Sequence, residues 1–193
     1  MQIDQFEYDK GVSLVAVDEN GREMGTVNKI EAHTPGGQLH RAVSIFIVNS
    51  MDQILIQQRS MQKSHAPGAW SNSCCSHPGC SETPMEKAKE TLKRELGVEC
   101  EIREVFTMVL KTNLGHGHGE NEYDHVFFGK YDGLIMPNPR DVAQCKWVNI
   151  AEMKREIGIN PDKYSTVLKS AFDRIVQIGN SEKADKNIGK IRS

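Results

Sequence analysis

The sequence predicts an α+β domain of mixed α/β/α type, in which a mixed sheet is flanked by helices. Short runs rich in β-branched residues alternate with a few segments of helical periodicity, which indicates strands and helices in one domain. The chain has 193 residues, and 38% of them are hydrophobic. A chain of that length buries enough apolar surface to be stable without disulfides or a structural metal.

The first predicted elements are strands. A hairpin is expected over residues 12–29, because Asn20-Gly21 is a favoured pair for a tight turn between strands. Further apolar runs predict the other strands, at residues 42–49, 54–59, 102–111, 123–131 and 144–148.

The clearest predicted helix covers residues 84–96. Thr83 and Glu86 stand in capping-box register, and Pro84 occupies the first helical position. Gly97 is a helix-ending residue directly after the last apolar position. The start and the end of this helix are therefore both predicted from local chemistry.

Two later helices and a tail complete the predicted organisation. A short helix is expected over residues 151–156, and a longer one follows Pro161 to about residue 178. The remaining residues are polar and rich in lysine, so residues 180–193 are expected to be a flexible tail. Residues 1–179 are then expected to form a single domain.

The charge balance excludes several classes of partner. Lysine and arginine number 24 against 26 aspartate and glutamate, which gives a net charge of −2. This balance offers no bulk attraction to nucleic acid or to an anionic membrane surface. The apolar runs are too short for a transmembrane helix, and the first residues do not resemble a secretory signal. A cytoplasmic location is therefore expected.

The five cysteines do not look like a disulfide framework. They are expected to be reduced in the cytoplasm. Cys74, Cys75 and Cys80 are bunched, whereas Cys100 and Cys145 are isolated and assigned to the core. The bunching favours a reactive or ligand thiol, and Cys75, between polar residues, is the best candidate for an exposed reactive group.

Histidines and carboxylates indicate a metal site. The candidate ligands lie in three separate segments: His33, His40, His77, Glu120 and Glu122. Such a nitrogen and oxygen set suits a divalent ion, Mn, Zn or Mg, better than a closed structural zinc site. A competing interpretation is a small zinc cluster made by Cys74, Cys75, His77 and Cys80. Its spacings match no paired C-x-x-C arrangement.

These motifs resemble the type 1 isopentenyl-diphosphate isomerases, a branch of the Nudix superfamily, over about residues 10–178. The most specific similarity lies in Trp70-Ser71-Asn72-Ser73-Cys74-Cys75-Ser76-His77-Pro78, where the Cys-x-His-Pro element is typical of this branch. Further matches are Leu39-His40-Arg41-Ala42, Glu95-Leu96-Gly97-Val98 and Glu120-Asn121-Glu122.

The resemblance implies a Nudix-like fold and an isomerase of isoprenoid biosynthesis. Such an enzyme would interconvert isopentenyl and dimethylallyl diphosphate, with Cys75 and Glu122 as acid and base. The five histidine and glutamate residues would hold the divalent metal. By the same resemblance, Lys29, Arg59 and Lys63 would contact the diphosphate, and Glu95 would bind a Mg ion that accompanies it. The expected partner is a small prenyl diphosphate, and the chain is expected to be a monomer or a homodimer.

The eroded Nudix box leaves alternatives open. Of the glutamates of that motif only Glu82 and Glu95 remain, whereas a Nudix hydrolase needs a carboxylate cluster to hold magnesium and activate water. A hydrolase of a prenyl or nucleoside diphosphate is the second hypothesis. A metal-dependent binding protein without turnover is the third.

Three positions depart from the family pattern. Leu110 stands where a catalytic tyrosine is usual, Thr91 where a phosphate-binding arginine is usual, and Thr166 where a tryptophan faces the developing cation. Tyr164 is a candidate replacement for the missing aromatic side chain. The glycine- and histidine-rich segment 115–119, with His116 and His118, is expected to be a mobile loop or a lid.

Overall fold

The computed structural model describes residues 9–63, 66–115 and 117–191, with residues 183–191 described by their backbone alone. Its strands are β1 (Ser13–Val17), β2 (Glu23–Asn28), β3 (His40–Val48), β4 (Gln53–Arg59), β5 (Trp70–Ser71), β6 (Cys74–Ser76), β7 (Ile102–Gly115), β8 (His118–Lys130) and β9 (Val142–Asn149). Its helices are α1 (Lys29–Ala32), α2 (Pro84–Leu96), α3 (Ile150–Ile159) and α4 (Thr166–Ile191). The predicted mixed α+β class is confirmed.

Strand β3 is the centre of the mixed sheet. It pairs in parallel with β8, from His40 opposite Glu122 to Val48 opposite Lys130. On its other edge it pairs antiparallel with β6, where Ser44 lies opposite Cys75. Side chains alternate between the two faces of a strand, so paired residues project to the same face. This register places the side chains of β3, β6 and β8 that carry chemistry on one face of the sheet.

Both faces of β3 are covered by apolar side chains. On one face, Val43, Ile45 and Ile47 belong to a core that α2 completes with Ala88, Leu92 and Leu96. On the other face, Phe46 and Val48 belong to a core that α4 completes with Leu168, Phe172 and Ile175. The sheet is therefore enclosed between helices, which agrees with the predicted layering.

Helix α2 has the bounds that its caps predict. The Thr83 hydroxyl accepts from the Glu86 amide at 3.2 Å, and the Glu86 carboxylate accepts from the Thr83 amide at 2.8 Å. Gly97 follows the helix with φ of 64°, in the left-handed region that favours glycine. A capping side chain of this kind contributes about 1 kcal/mol.

The hairpin β7–β8 is longer than predicted. Its strands extend to Gly115 and start again at His118, so most of the glycine- and histidine-rich segment is paired strand. Polar strands that project beyond the core lack the alternation of apolar and polar residues from which strands are predicted, so the sequence does not indicate them. The prediction for His116 lies outside the described residues.

Helix α4 also continues beyond its predicted end near residue 178, to Ile191. The sequence after residue 179 is largely polar, so no apolar periodicity signals that the helix continues. The division of the chain after residue 179 stays a prediction. Within the described ranges, no helix combines the length and the apolar character that crossing a membrane requires.

Candidate active site

A cavity of about 760 Å³ lies above the face of the sheet on which the side chains of Cys75 and Glu122 project. Strands β3, β6 and β8, helix α2, the segment 138–141 and the start of α4 contribute to its walls. Eight side chains that the sequence singled out line it: Lys29, Arg59, Lys63, Cys75, His77, Glu95, Glu120 and Glu122. The folded chain thus brings the candidate acid, the candidate base, the cations and most of the metal candidates to one cavity.

Three histidines surround one carboxylate oxygen at the edge of this cavity. The Oε1 atom of Glu122 lies 3.1 Å from Nε2 of His77, 3.6 Å from Nε2 of His33 and 3.8 Å from Nε2 of His40. One ligand atom from each of the four residues lies within 4.8 Å of all the others. This spacing is that of donors arranged around a single cation.

Backbone carbonyls set the proton positions of two of the rings. The Nδ1 atom of His33 bonds the Lys29 carbonyl at 2.8 Å, and the Nδ1 atom of His40 bonds the Gln38 carbonyl at 3.0 Å. A carbonyl only accepts, so each Nδ1 carries the proton and each Nε2 turns a lone pair toward Glu122. The Nε2 atom of His40 is buried and has no hydrogen-bond partner within the described structure. The residues therefore fit a divalent cation.

Glycines hold the turn between His33 and His40 against the start of β8. A Cβ on Gly37 would overlap the Ala32 carbonyl, so only glycine allows this close approach. The Gly119 amide donates to the His33 carbonyl at 2.8 Å, and the Asn121 side-chain amide donates to the Gly37 carbonyl at 2.8 Å. Two histidines from one turn are thereby fixed beside the carboxylates of β8.

Burial disfavours the charged form of two of the histidines. It lowers the pKa of His77 to about 3, although Glu122 opposes this shift, and it lowers the pKa of His40 as well. Burial raises the pKa of Glu122, but hydrogen bonds from His33 and His77 outweigh it and hold that pKa well below its ordinary value. In the free chain the neutral His77 ring can donate to Glu122 from Nε2, whereas a bound cation would take the lone pairs of all three Nε2 atoms together with the Glu122 carboxylate.

Glu120 lies beside this cluster. Its side chain lines the cavity, but its carboxylate is not one of the four grouped ligands. Burial, followed by the charge of Glu122, raises the pKa of Glu120 to about 7. Its buried Oε2 atom makes no hydrogen bond to any described residue. The role of Glu120 as a metal ligand stays a prediction.

Cys75 is held as a neutral thiol. Its Sγ atom donates to Oδ1 of Asn72 at 3.1 Å and lies 3.5 Å from the Ser44 hydroxyl. The Asn72 amide nitrogen donates to the carbonyls of Ile45 and Cys74, and this turns the amide oxygen toward the thiol. Burial, with the charge of Asp124, raises the pKa of Cys75 to about 12. The thiol that was expected to be exposed is therefore half-buried and protonated at neutral pH.

The alternative zinc cluster of cysteines is wrong. Cys74 projects to the opposite face of the sheet and packs in the core beside α2, and Cys80 is exposed. Among the residues that the structure describes, the group at metal-ligand spacing consists of three histidines and a glutamate. All five cysteines are free thiols.

Asp124 is a site residue that sequence reasoning missed. It is fully buried on β8, two positions after Glu122, and therefore shares its face. Neither oxygen makes a hydrogen bond of good geometry to the described residues. Burial, with the charge of Glu122, raises its pKa well above the ordinary value, and the Ser44 hydroxyl opposes this less strongly. Acidic residues at alternate positions of a strand were the available signal.

The other wall of the cavity carries ion pairs. Glu95 is nearly fully buried, and its carboxylate accepts from the Gln57 amide at 3.1 Å and from Lys63 at 3.4 Å. Lys63 also contacts Asp141 at 2.5 Å, a partner that sequence reasoning did not identify. Lys29 bonds the buried Asp9 carboxylate at 2.8 Å. These lysines are thus already oriented by carboxylates.

Two of the three family departures have clear places in the structure. Leu110 on β7 lies opposite Glu122, so an apolar side chain stands beside that carboxylate. Thr91 is fully buried in α2, and its hydroxyl contacts Glu90 at 3.4 Å.

The expectations for Thr166 and Tyr164, near the start of α4, differ from what the structure shows. Val167, and neither Thr166 nor Tyr164, lines the cavity from this helix. Tyr164 packs in the core with Phe46 and Leu168, so it does not replace the missing aromatic side chain at the cavity. The side chain of His118 is exposed at the tip of the β7–β8 hairpin.

Comparison with known proteins agrees with this architecture. Residues 38–169 match the family model described as the NUDIX domain. Among solved structures, DR0079 from Deinococcus radiodurans superposes with a TM-score of 0.70 at 20% identity, over 85% of this chain and 99% of that one. The MutT protein from Methanosarcina mazei Go1 superposes with a TM-score of 0.58 at 15% identity, over 73% of this chain and 95% of that one. These likenesses show the fold.

Relatives in sequence are closer. Isopentenyl-diphosphate Delta-isomerase 1 of Aromatoleum aromaticum is 42% identical, over 84% of this chain and 92% of the relative. The isopentenyl-diphosphate Delta-isomerase of Pectobacterium atrosepticum is 35% identical, over 90% of this chain and 97% of the relative. The chain therefore belongs to the NUDIX domain family and, within it, to the isopentenyl-diphosphate Delta-isomerases.

Proposed function

We propose that this protein interconverts isopentenyl diphosphate and dimethylallyl diphosphate, a step that supplies isoprenoid biosynthesis. The observation that carries the proposal is the single cavity that holds a protonated thiol, a carboxylate and a set of cations. The names of the relatives support the same activity. The reaction moves a double bond, so it needs one proton donor, one proton acceptor and an anchor for the diphosphate.

Cys75 is the proposed acid. Its thiol is protonated at neutral pH, because burial raises its pKa to about 12. A proton passes from Sγ to the terminal carbon of the alkene, and the Ser44 hydroxyl at 3.5 Å can then donate to the thiolate that forms. Asn72 holds the thiol in place before this transfer. The chain thus supplies both the proton and the group that stabilises the resulting charge.

Glu122 is the proposed base. Its carboxylate is ionised, and it removes a proton from the carbon on the other side of the cation-like centre. One carbon gains a proton while another loses one, so the substrate and the product have the same composition. Leu110 and Val167 add apolar surface beside Glu122 and at the cavity wall, which limits water near the reacting carbons.

His33, His40, His77 and Glu122 would hold a divalent cation, and we propose Glu120 as a further ligand. When bound, this cation supplies positive charge that keeps Glu122 ionised and correctly oriented. Mn, Zn and Mg all suit the donor set. Glu95, on the opposite wall, is proposed to bind a Mg ion that arrives with the diphosphate.

Lys29, Arg59 and Lys63 are the proposed diphosphate contacts. All three line the cavity, and the two lysines are held by Asp9 and Asp141 before substrate arrives. The diphosphate takes no part in the chemistry, so its binding energy serves to position the alkene. A small prenyl diphosphate is thus the proposed partner, while the oligomeric state and the cytoplasmic location stay predictions.

The hydrolase alternative receives no support from the geometry. Glu82, one of the glutamates that remain from the Nudix box, bonds the Gly79 amide and Lys87 and does not line the cavity. A cluster of carboxylates that could activate water beside α2 is therefore incomplete.

Isomerisation in heavy water tests the proposal. Purified protein with Mg and Mn should form dimethylallyl diphosphate and incorporate deuterium into it. Cys75→Ala should abolish both signals, whereas Cys80→Ala, which changes an exposed thiol, should leave them unchanged. Absence of interconversion by the wild type, or full activity in Cys75→Ala, would overturn the proposal. Phosphate release across a panel of diphosphates would instead support the hydrolase.

A further inference from the structure

We propose that Arg94 is a diphosphate-binding residue of this chain and that Asp141 is its positioning residue. The inference rests on the proposed function, because it assigns a further contact to the same substrate. It also answers a question that the sequence raises, since Thr91 stands where the family has a phosphate-binding arginine.

The first observation is a bridge between two cations. The Asp141 carboxylate accepts from Lys63 through Oδ1 at 2.5 Å and from Arg94 through Oδ2 at 2.9 Å. The Asn138 side-chain amide also donates to Oδ2 of Asp141 at 3.2 Å, and the Ser60 amide donates to the Asp141 carbonyl at 3.0 Å. Asp141 is therefore fixed from several sides, and it holds an ammonium and a guanidinium next to each other.

The second observation is the placement of this pair. Arg94, Lys63, Asp141 and Asn138 all line the cavity that holds Cys75 and Glu122. Arg94 also contacts Glu90 through Nε at 2.9 Å and Glu95 through Nη2 at 3.5 Å. A guanidinium has more N–H donors than these contacts use, and its planar fork matches phosphate oxygens. Donors therefore remain for an anion that enters the cavity.

The third observation is the position of Arg94 on α2. Residues three apart on a helix lie on the same side, so Arg94 is the neighbour of Thr91 one turn further along. Thr91 is fully buried and does not line the cavity, whereas Arg94 does. A long side chain from the next turn can thus supply the positive charge that a threonine cannot.

Binding of inorganic pyrophosphate with Mg to the full-length protein tests this role without turnover. By calorimetry, Arg94→Gln should weaken binding about tenfold, and Arg94→Lys should recover part of the loss. Lys93→Gln is the matched control, because Lys93 lies on the same helix, pairs with Glu99 and does not line the cavity. Its affinity should equal that of the wild type.

Steady-state kinetics provide the second measurement. Arg94→Gln and Asp141→Asn should raise KM for isopentenyl diphosphate and leave kcat within about twofold, since neither residue touches the reacting carbons. Pyrophosphate affinity equal to the wild type in Arg94→Gln would overturn the inference. If Arg94→Gln does not fold, Arg94→Lys is the deciding variant. A wild-type pyrophosphate affinity, KM and melting temperature in Arg94→Lys would overturn the inference and leave Arg94 as a member of a surface ion pair only.

The two proposals fail separately. A wild-type protein that binds pyrophosphate but does not isomerise would overturn the proposed function, while the comparison of Arg94→Gln with Lys93→Gln would still decide the anion contact. An active isomerase whose pyrophosphate affinity is the same in the wild type and in Arg94→Gln would overturn only the inference about Arg94.

Discussion

Two buried glutamates, Glu122 and Glu95, line the same cavity and differ in the nitrogen groups around them. Glu122 faces the Nε2 atoms of three histidines, whereas Glu95 accepts hydrogen bonds from Lys63, Arg94 and an amide. Both carboxylates are shielded from water, so each requires compensation. At Glu122 the neighbouring nitrogens belong to imidazole rings, whereas at Glu95 two of them belong to permanently charged side chains.

The difference lies in what the nitrogens can release. An imidazole loses its proton near neutral pH and then offers a lone pair, so the Glu122 cluster is suited to a cation. Lysine and arginine keep their protons, so the region around Glu95 stays positive and is suited to an anion. In the proposed function, one cavity therefore has a metal-binding side and a diphosphate-binding side, and the alkene would lie between Cys75 and Glu122.

The largest expected effect is a difference between the kcat and KM changes that follow substitution of the two glutamates. Glu122→Gln should lower kcat about a thousandfold, because it removes the proposed base and one proposed ligand of the cluster together. Glu95→Gln should act mainly on KM, because Glu95 belongs to the diphosphate side. Glu104→Gln, which changes a carboxylate on β7 that pairs with His125 outside the cavity, is the control and should leave both constants unchanged. Equal losses of kcat in Glu122→Gln and Glu95→Gln would contradict the assignment of different roles to the two glutamates.

Removal of metal should affect only the histidine side. Chelation should lower the melting temperature, and restored Mn or Zn should raise it again. When the free ion exceeds its Kd about a hundredfold, binding should add about 2.7 kcal/mol to the free energy of unfolding. His77→Ala should lose this response, whereas His125→Ala should keep it, because His125 pairs with Glu104 and is not a member of the cluster. The measurement is a thermal scan with and without metal. An equal metal response in both variants would contradict the assignment.

The smallest effect is the pH dependence of the ion pairs. Burial raises the pKa of Asp141, but Lys63 and Arg94 outweigh it and hold that pKa below its ordinary value. An ionised Asp141 therefore adds stability above the pKa of the unfolded chain, and this contribution is lost as the pH falls through the lower folded pKa.

Comparison of the wild type with Asp141→Asn measures this contribution. The difference in unfolding free energy should be below about 1 kcal/mol, because the pairs are partly solvated. It should be constant between about pH 5 and pH 8 and should shrink below about pH 4. Asp173→Asn, at an exposed pair with Lys154, should change little at any pH. A difference that grows toward low pH would show that the ionised carboxylate does not stabilise the fold.

The parts of the fold that local chemistry determines could be predicted. The bounds of α2 follow from Thr83, Pro84 and Gly97, and the structure confirms them. The ends of the β7–β8 hairpin and of α4 could not be predicted, because those segments are largely polar in sequence and carry no apolar pattern. Strand β6, only three residues long, is set by its pairing with β3 and not by its own composition.

The site divides in the same way. His77 and Cys75 could be identified from one continuous motif. Asp124, Asp141 and Arg94 were missed, because their importance depends on which strands pair and which loop meets α2. Val167 replaced Thr166 at the cavity for the same reason, since the rotation of α4 is set by its packing against the sheet.

The amino-acid sequence specifies the residue types that this chemistry requires, together with the caps and turns that act over a few positions. The tertiary structure decided which of them meet. Parallel pairing of β3 with β8 sets His40 beside Glu122, and the turn at Gly37 brings His33 to the same point. Burial, which only the folded chain provides, lowers the pKa of His40 and His77, because removal of water penalises the charged form of a ring.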